Sequence, residues 1–160
     1  MKKYVLAALS LKLISSNRLT KNIYRKLGNV IGGMKRKNAN VDTNLKRGDL
    51  LLKLCRKYDL LQDGDNLLEL GTGWLHWYSM YIRLLYPVQI TMMDIWDNRQ
   101  LLALKANFKK VFEVSDHEFS KTDIEFIGNV NSFPDLYKKY DLNYLILEDG
   151  SLSKLKDNSV

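Results

Sequence analysis

At 160 residues, with 46% hydrophobic and 27% charged side chains, the chain suits one domain with its own core and is too apolar for wholesale disorder. Its single cysteine, Cys55, excludes an intrachain disulfide and a cysteine-built metal cluster, and points to a reducing, intracellular setting. The net charge of +7 conceals an asymmetry: residues 1–57 carry fifteen Lys/Arg against two acids (+13), and residues 58–160 carry ten against sixteen (−6).

Lys2-Lys3 ahead of Tyr4–Leu11 has the outline of a secretory signal, but Lys12 interrupts the apolar run and no small-x-small cleavage site follows. The run is too short to span a bilayer. The expectation is a cytoplasmic protein, soluble or peripheral to the membrane. Residues 4–14 fit a short amphipathic helix. From Arg18 to Lys37, basic residues interleave with Leu19, Ile23, Tyr24, Leu27, Val30 and Ile31. Gly28, Gly32 and Gly33 predict that no clean helix continues beyond residue 27. Residues 1–44 thus read as a basic helical extension, ending in a polar linker. Residues 1–37 have three open readings: a solvated face, a substrate cap or helix held on an anionic membrane surface, or a nucleic-acid contact. Sparse aromatics, Tyr4 and Tyr24, weigh against a base-stacking platform.

Residues 45–160 form the second region. Asp42 or Thr43 is positioned to cap a helix over 45–60, with Leu51, Leu54, Cys55 and Tyr58 as its apolar stripe. Gln62-Asp63-Gly64-Asp65 is a turn. Leu67–Leu70 is a continuous apolar strand, followed by the glycine turn Gly71-Thr72-Gly73, a helix starting near Trp74, and a strand ending on Asp94. Asn98 opens another helix through Leu101, Leu104 and Phe108. Residues 114–131 are mixed and polar, with Gly128-Asn129 as a turn signal. Phe133-Pro134-Asp135 starts a short helix through Tyr140, and Leu142–Leu147 is a third strand. This alternation predicts an α/β fold: a Rossmann-like parallel sheet with flanking helices.

A strand, a glycine turn, a helix and an acid 21 residues after Gly73 are what a nucleoside-bearing cofactor requires. A Cβ at Gly71 or Gly73 would intrude on a close ligand. The helix near Trp74 is expected to aim free N–H groups at the site, and Asp94 to accept from ribose hydroxyls. A tight turn with no ligand explains the glycines equally well if they are taken alone. A nicotinamide-dependent oxidoreductase is a weaker alternative, because His76 stands where that fingerprint has its third glycine.

Three segments resemble the class I S-adenosylmethionine-dependent methyltransferases. Glu69-Leu70-Gly71-Thr72-Gly73 matches the first motif of that family, and Met93-Asp94-Ile95 matches the second. Asp149–Val160 aligns without a gap with a segment many members carry before the fourth strand, with identities at Asp149, Asp157, Asn158 and Ser159. The resemblance implies that Glu69 and the Gly71-Thr72-Gly73 backbone sit by the methionine moiety of S-adenosyl-L-methionine. It further implies that Asp94 binds the ribose, Ile95 packs on the adenine, and Asp149 and Gly150 meet the adenine edge. The implied activity is methyl transfer to an oxygen or nitrogen nucleophile on a small molecule or glycan. No catalytic base is named and no metal is implied. Leu75 departs from the family, which often has glycine there. The lead-in Arg25–Gly33, with Leu70–Trp77 and Asp94–Gln100, also looks like uncharacterised bacterial methyltransferases, some thought to belong to surface-polysaccharide clusters. The family would place its fourth strand where this chain stops, so the expectation is the cofactor half of a truncated domain. The alternative is a non-catalytic fragment that binds an anionic surface or a partner.

Other residues have two readings. His76 is either a packed, cofactor-adjacent residue or a group that orients substrate. His117 reads as solvent-facing. Trp74 and Trp77 read as core or as cofactor wall. Asp97-Asn98-Arg99-Gln100 reads as a helix start, with Asp97 or Arg99 within reach of a substrate.

Overall fold

The computed structural model describes residues 18–37 and 40–147. The expected helix at 4–14 and the motif-like tail from Glu148 onward lie outside those residues. The chain divides into two compact units, Met1–Arg36 and Lys37–Val160.

The described residues of the first unit lie in one helix, α1 (Arg18–Lys37), which runs 20 residues without a break and ends on the first residue of the second unit. The expected interruption after residue 27 is absent. Each helical glycine costs about 1 kcal/mol against alanine. The amphipathic repeat through Ile23, Val30 and Ile31 continues past Gly28, and the helix itself runs on through Gly32 and Gly33 to Lys37.

In the second unit α2 spans Asp42–Lys57. It starts earlier than expected, and neither Asp42 nor Thr43 caps it; Val41 holds the cap position without a side-chain hydrogen bond. Asn40 Oδ1 instead accepts from the Asp42 N–H at 2.8 Å. The buried face is Leu45, Gly48 and Leu52, while the anticipated stripe of Leu51, Leu54 and Tyr58 is exposed. The Gln62–Asp65 turn is closed by a hydrogen bond from Gln62 N–H to Asp65 Oδ2 at 2.7 Å.

The chain then alternates: β1 (Asn66–Leu70), α3 (Trp77–Leu85), β2 (Gln89–Asp94), α4 (Leu101–Val114), α5 (Lys121–Asn129), α6 (Phe133–Tyr140) and β3 (Leu142–Ile146). The three strands form a parallel sheet in the order β1-β2-β3, with Glu69 beside Met92 and Asp94 beside Ile146. The protein is therefore mixed α/β with a parallel sheet flanked by helices. The core gathers Met80 and Tyr81 of α3, Ile90 and Met92 of β2, Phe108 of α4, and Leu136 of α6, each buried. Burying one such side chain contributes about 1.5–3 kcal/mol, so the sheet and its helices hold one another in place.

Helix α5 falls in the stretch expected to be irregular. Ser120 caps it, its Oγ accepting from the Asp123 N–H at 3.0 Å. Ser132 caps α6 in the same way through Asp135 N–H at 3.2 Å, with Pro134 in the first turn.

Candidate functional site at the carboxyl ends of the strands

In open parallel sheets, ligands bind beyond the carboxyl ends of the strands. Here those ends bring together Glu69, Gly71, Thr72, Gly73, Asp94 and Ile95. Gly71 and Gly73 have φ of +73° and +66°, the left-handed region that favours glycine. A Cβ on Gly71 would meet nothing within 4 Å, and one on Gly73 only the Gly71 carbonyl at 4.0 Å. The turn is thus glycine for its backbone conformation and not for contact with the protein, and the space above it is open.

The N–H groups of this turn point back into the sheet. Gly71 and Thr72 donate to the Met93 carbonyl at 2.8 and 3.3 Å. Gly73 donates to Asp94 Oδ2 at 3.1 Å, and Ile95 N–H to Asp94 Oδ1 at 2.8 Å. Each Asp94 oxygen therefore takes one backbone donor and keeps acceptor capacity for a hydroxyl. Ile95 is 47% exposed beside it. Asp149 and Gly150 lie outside the described residues.

Helix α3 begins at Trp77, three residues later than expected. Within its first turn the Ser79 N–H is directed at the protein and not at a ligand, donating to Glu69 Oε2 at 3.3 Å. Ser79 Oγ and Thr72 Oγ1 (3.2 Å) donate to that same oxygen. The half-buried Glu69 thus ties β1, the glycine turn and α3 together. Burial pushes its carboxyl above the usual range, opposed by the hydrogen bonds from Ser79 and Thr72.

His76 is fully buried and holds φ of +45°, a strained conformation for a non-glycine residue. Both ring nitrogens are engaged, Nδ1 with Thr72 Oγ1 and Nε2 with the Tyr137 hydroxyl, each at 2.8 Å. Arg99 Nη1 lies 3.5 Å from that hydroxyl. Its guanidinium sits over the Tyr144, Phe133 and Tyr137 rings at 4.8, 5.3 and 5.8 Å, and its Nη2 pairs with Asp97 at 2.6 Å. Arg99 can only donate. With three donors already on Glu69 Oε2, no place remains there for a proton. One direction satisfies every link: Arg99 to Tyr137, Tyr137 to His76 Nε2, His76 Nδ1–H to Thr72, and Thr72 to Glu69. His76 is therefore the neutral Nδ1–H tautomer, and burial together with the nearby Arg99 charge pulls it down to about 4.

This chain of groups was only partly visible in sequence. His76 and Arg99 stood out by position, whereas Ser79 and Tyr137 did not. The spacing of Phe133, Tyr137 and Tyr144 is the signal that could have placed an aromatic wall there. Trp77 is core, stacked on Tyr81 at 4.7 Å between ring centres, whereas Trp74 is 41% exposed next to the glycine turn. His117 is half-buried and bonded to Asp49 at 3.0 Å. Cys55 is half-buried and lines a cleft of about 390 Å³ alongside β1 with Leu51, Leu60, Leu68 and Ile82. That apolar cleft reaches the cluster only at Glu69 and Ser79; neither glycine nor Asp94 lines it. Among the described residues, no three His, Cys, Asp or Glu side chains gather closely enough to hold a metal ion. No described helix is long and apolar enough to cross a membrane.

Comparison with protein-family models, with curated proteins and with solved structures finds no match for this chain.

Proposed function

We propose that this protein binds S-adenosyl-L-methionine at the carboxyl ends of β1 and β2, in a Rossmann-like site, and serves methyl transfer to an oxygen or nitrogen nucleophile. The observation that carries the reading is the pairing of Gly73 with Asp94. A carboxylate at the tip of β2 is held by backbone N–H groups beside a left-handed glycine turn with open space above it. That arrangement offers a ribose two acceptor oxygens and lets the rest of a nucleoside approach the backbone closely. Asp94 would take the ribose hydroxyls, Ile95 an apolar ring face, and the Gly71–Gly73 turn the methionine side. Glu69 acts mainly from behind, since its bonds hold the turn in place. S-adenosylmethionine supplies an already activated methyl group, so the contribution of these residues is binding and orientation.

Isothermal titration calorimetry tests this. Micromolar binding of S-adenosylmethionine, weakened at least about tenfold in Asp94→Ala, is the expected result, as befits loss of hydrogen bonds to a charged group. Tighter binding of NAD, or wild-type affinity in Asp94→Ala, sinks the reading.

A second reading rests on β1. Among the described residues its outer edge pairs with no strand, and the apolar cleft lies alongside it. An unpaired edge with apolar walls is a template for association. On this reading the chain works by recruiting a strand from a partner. Concentration-dependent association that persists in Asp94→Ala and disappears in Leu68→Lys, without S-adenosylmethionine binding, favours it over the first.

A further inference from the structure

From the composition and continuity of α1 we infer that this helix is the face by which the protein lies on an anionic phospholipid bilayer. The inference is independent of the cofactor reading, because it concerns α1 and none of the residues at the strand ends. Over its 20 residues α1 carries Arg18, Lys21, Arg25, Lys26, Lys35, Arg36 and Lys37, and no acid. At 3.6 residues per turn, positions 19, 23, 27, 30, 31 and 34 fall within one arc of about 120°. All six are apolar residues; Thr20 and, at the helix end, Lys37 share the arc with them. Positions 18, 21, 25 and 36 fall on the opposite side, and 26 and 35 flank the arc.

The three glycines decide between a distorted helix and a built one. By position, Gly28, Gly32 and Gly33 all lie outside the apolar arc. A glycine there deletes no apolar contact with a partner surface, and the helix remains unbroken through all three. Within the arc, Ile23, Val30 and Ile31 are 58%, 67% and 55% exposed. Lys26, Lys35 and Lys37 are exposed as well.

An exposed apolar stripe beside a polar face whose charges are all basic has a specific complement: acyl chains below and anionic headgroups around. Lysines at the borders of the arc can lay their methylene stems along the apolar surface while their ammonium groups reach phosphates. A nucleic acid would satisfy the cations but leave Ile23, Val30 and Ile31 in water, so the bilayer accounts for more of the helix. The seven charges exclude burial across the hydrocarbon core, so α1 lies in the interface plane.

Co-sedimentation of the full chain with large unilamellar vesicles tests the inference. Vesicles of phosphatidylcholine with phosphatidylserine should bind at least about tenfold more strongly than phosphatidylcholine alone, and high salt should weaken that binding. Ile23→Glu combined with Ile31→Glu should remove it by a similar factor. Tryptophan placed by Ile31→Trp should shift its emission to the blue on phosphatidylserine vesicles, a readout that requires no loss of binding. The inference is overturned if vesicles do not bind, if the double glutamate variant binds as wild type, or if the Ile31→Trp emission stays unshifted. Tighter binding to a duplex oligonucleotide than to the vesicles, or burial of the stripe in a dimer of this chain, overturns it equally.

Discussion

Gly73 donates its backbone N–H to Asp94 Oδ2 across the gap between β1 and β2, at 3.1 Å. The bond makes the two motifs one object: the turn cannot shift without moving the carboxylate. It also separates stability from binding. In Gly73→Ala the new Cβ meets only the Gly71 carbonyl at 4.0 Å, so the cost is that of an alanine at φ +66°. Thermal or urea unfolding should register a loss of about 1–2 kcal/mol. If the open space above the turn is a ligand's, S-adenosylmethionine affinity should fall far more steeply than stability, by about a hundredfold, because the methyl group occupies that space. Parallel losses in both measurements would mean the glycine serves the turn alone.

His76 stands one turn deeper and is held at both nitrogens. The hydrogen-bonded chain from Arg99 to Glu69 allows one tautomer, so nitrogen NMR of labelled histidine should find the proton on Nδ1 and an accepting Nε2. Tyr137→Phe keeps the ring and removes the donor to Nε2. It should cost about 1 kcal/mol in unfolding experiments and free His76 to exchange its tautomers. A proton found on Nε2 in the wild type would contradict the direction argued for the chain. Thr72→Ser, which keeps the hydroxyl, should preserve the wild-type spectrum, and Thr72→Val should not.

The same residue sets an acid limit. Burial first, and the Arg99 charge second, lower the folded-state value of His76 from 6.5 to about 4. A depressed histidine favours the folded state above its unfolded value. Acidification from about pH 6.5 removes that contribution progressively, until it is gone as pH falls through about 4. The contribution is on the order of 3 kcal/mol. Urea midpoints measured between pH 7 and 4 should decline on acidification. His76→Asn, which tolerates the left-handed backbone and does not titrate, should flatten that decline. An unchanged slope in the variant would assign the acid sensitivity elsewhere.

What could be read in advance follows the physics of each segment. β1, β2 and β3 are short apolar runs between turns, so their place was legible, as were the glycine turn and Asp94. α6 announced itself through Phe133-Pro134-Asp135. α5 carries the same Ser-x-x-Asp cap, Ser120 to Asp123, but Gly128-Asn129 drew the reading toward a turn; in the structure both residues are simply its last turn. In α1 the low helix propensity of three glycines conceals that all three lie on the side away from the apolar arc, where the helix runs on unbroken. α2 misled differently: Leu51 and Leu54 have the spacing of a buried stripe, yet the helix buries Leu45, Gly48 and Leu52. Bonds closing at long range, such as His76 with Tyr137 across 61 positions, leave no local pattern to read.

Gly48 shows why that face of α2 was hidden. It looks like a helix defect, and propensity alone says that Gly48→Ala should stabilise by about 1 kcal/mol. In the fold it is where α2 meets α3: a Cβ there would lie 2.7 Å from the Tyr81 ring and 3.0 Å from Trp77. Both rings are buried and stacked on each other, and the Tyr81 hydroxyl is tied to Asp49 at 2.6 Å, so neither can move aside cheaply. Overpacking of this kind costs about 1–3 kcal/mol and outweighs the propensity gain. Gly28→Ala in α1 is the control, since a Cβ there meets nothing within 4 Å. Urea unfolding should show Gly48→Ala destabilised, while circular dichroism shows equal or greater helix content in Gly28→Ala. A stabilised Gly48→Ala would mean that α2 is free to move away from Tyr81, and that the contact between α2 and α3 is looser than the buried glycine implies.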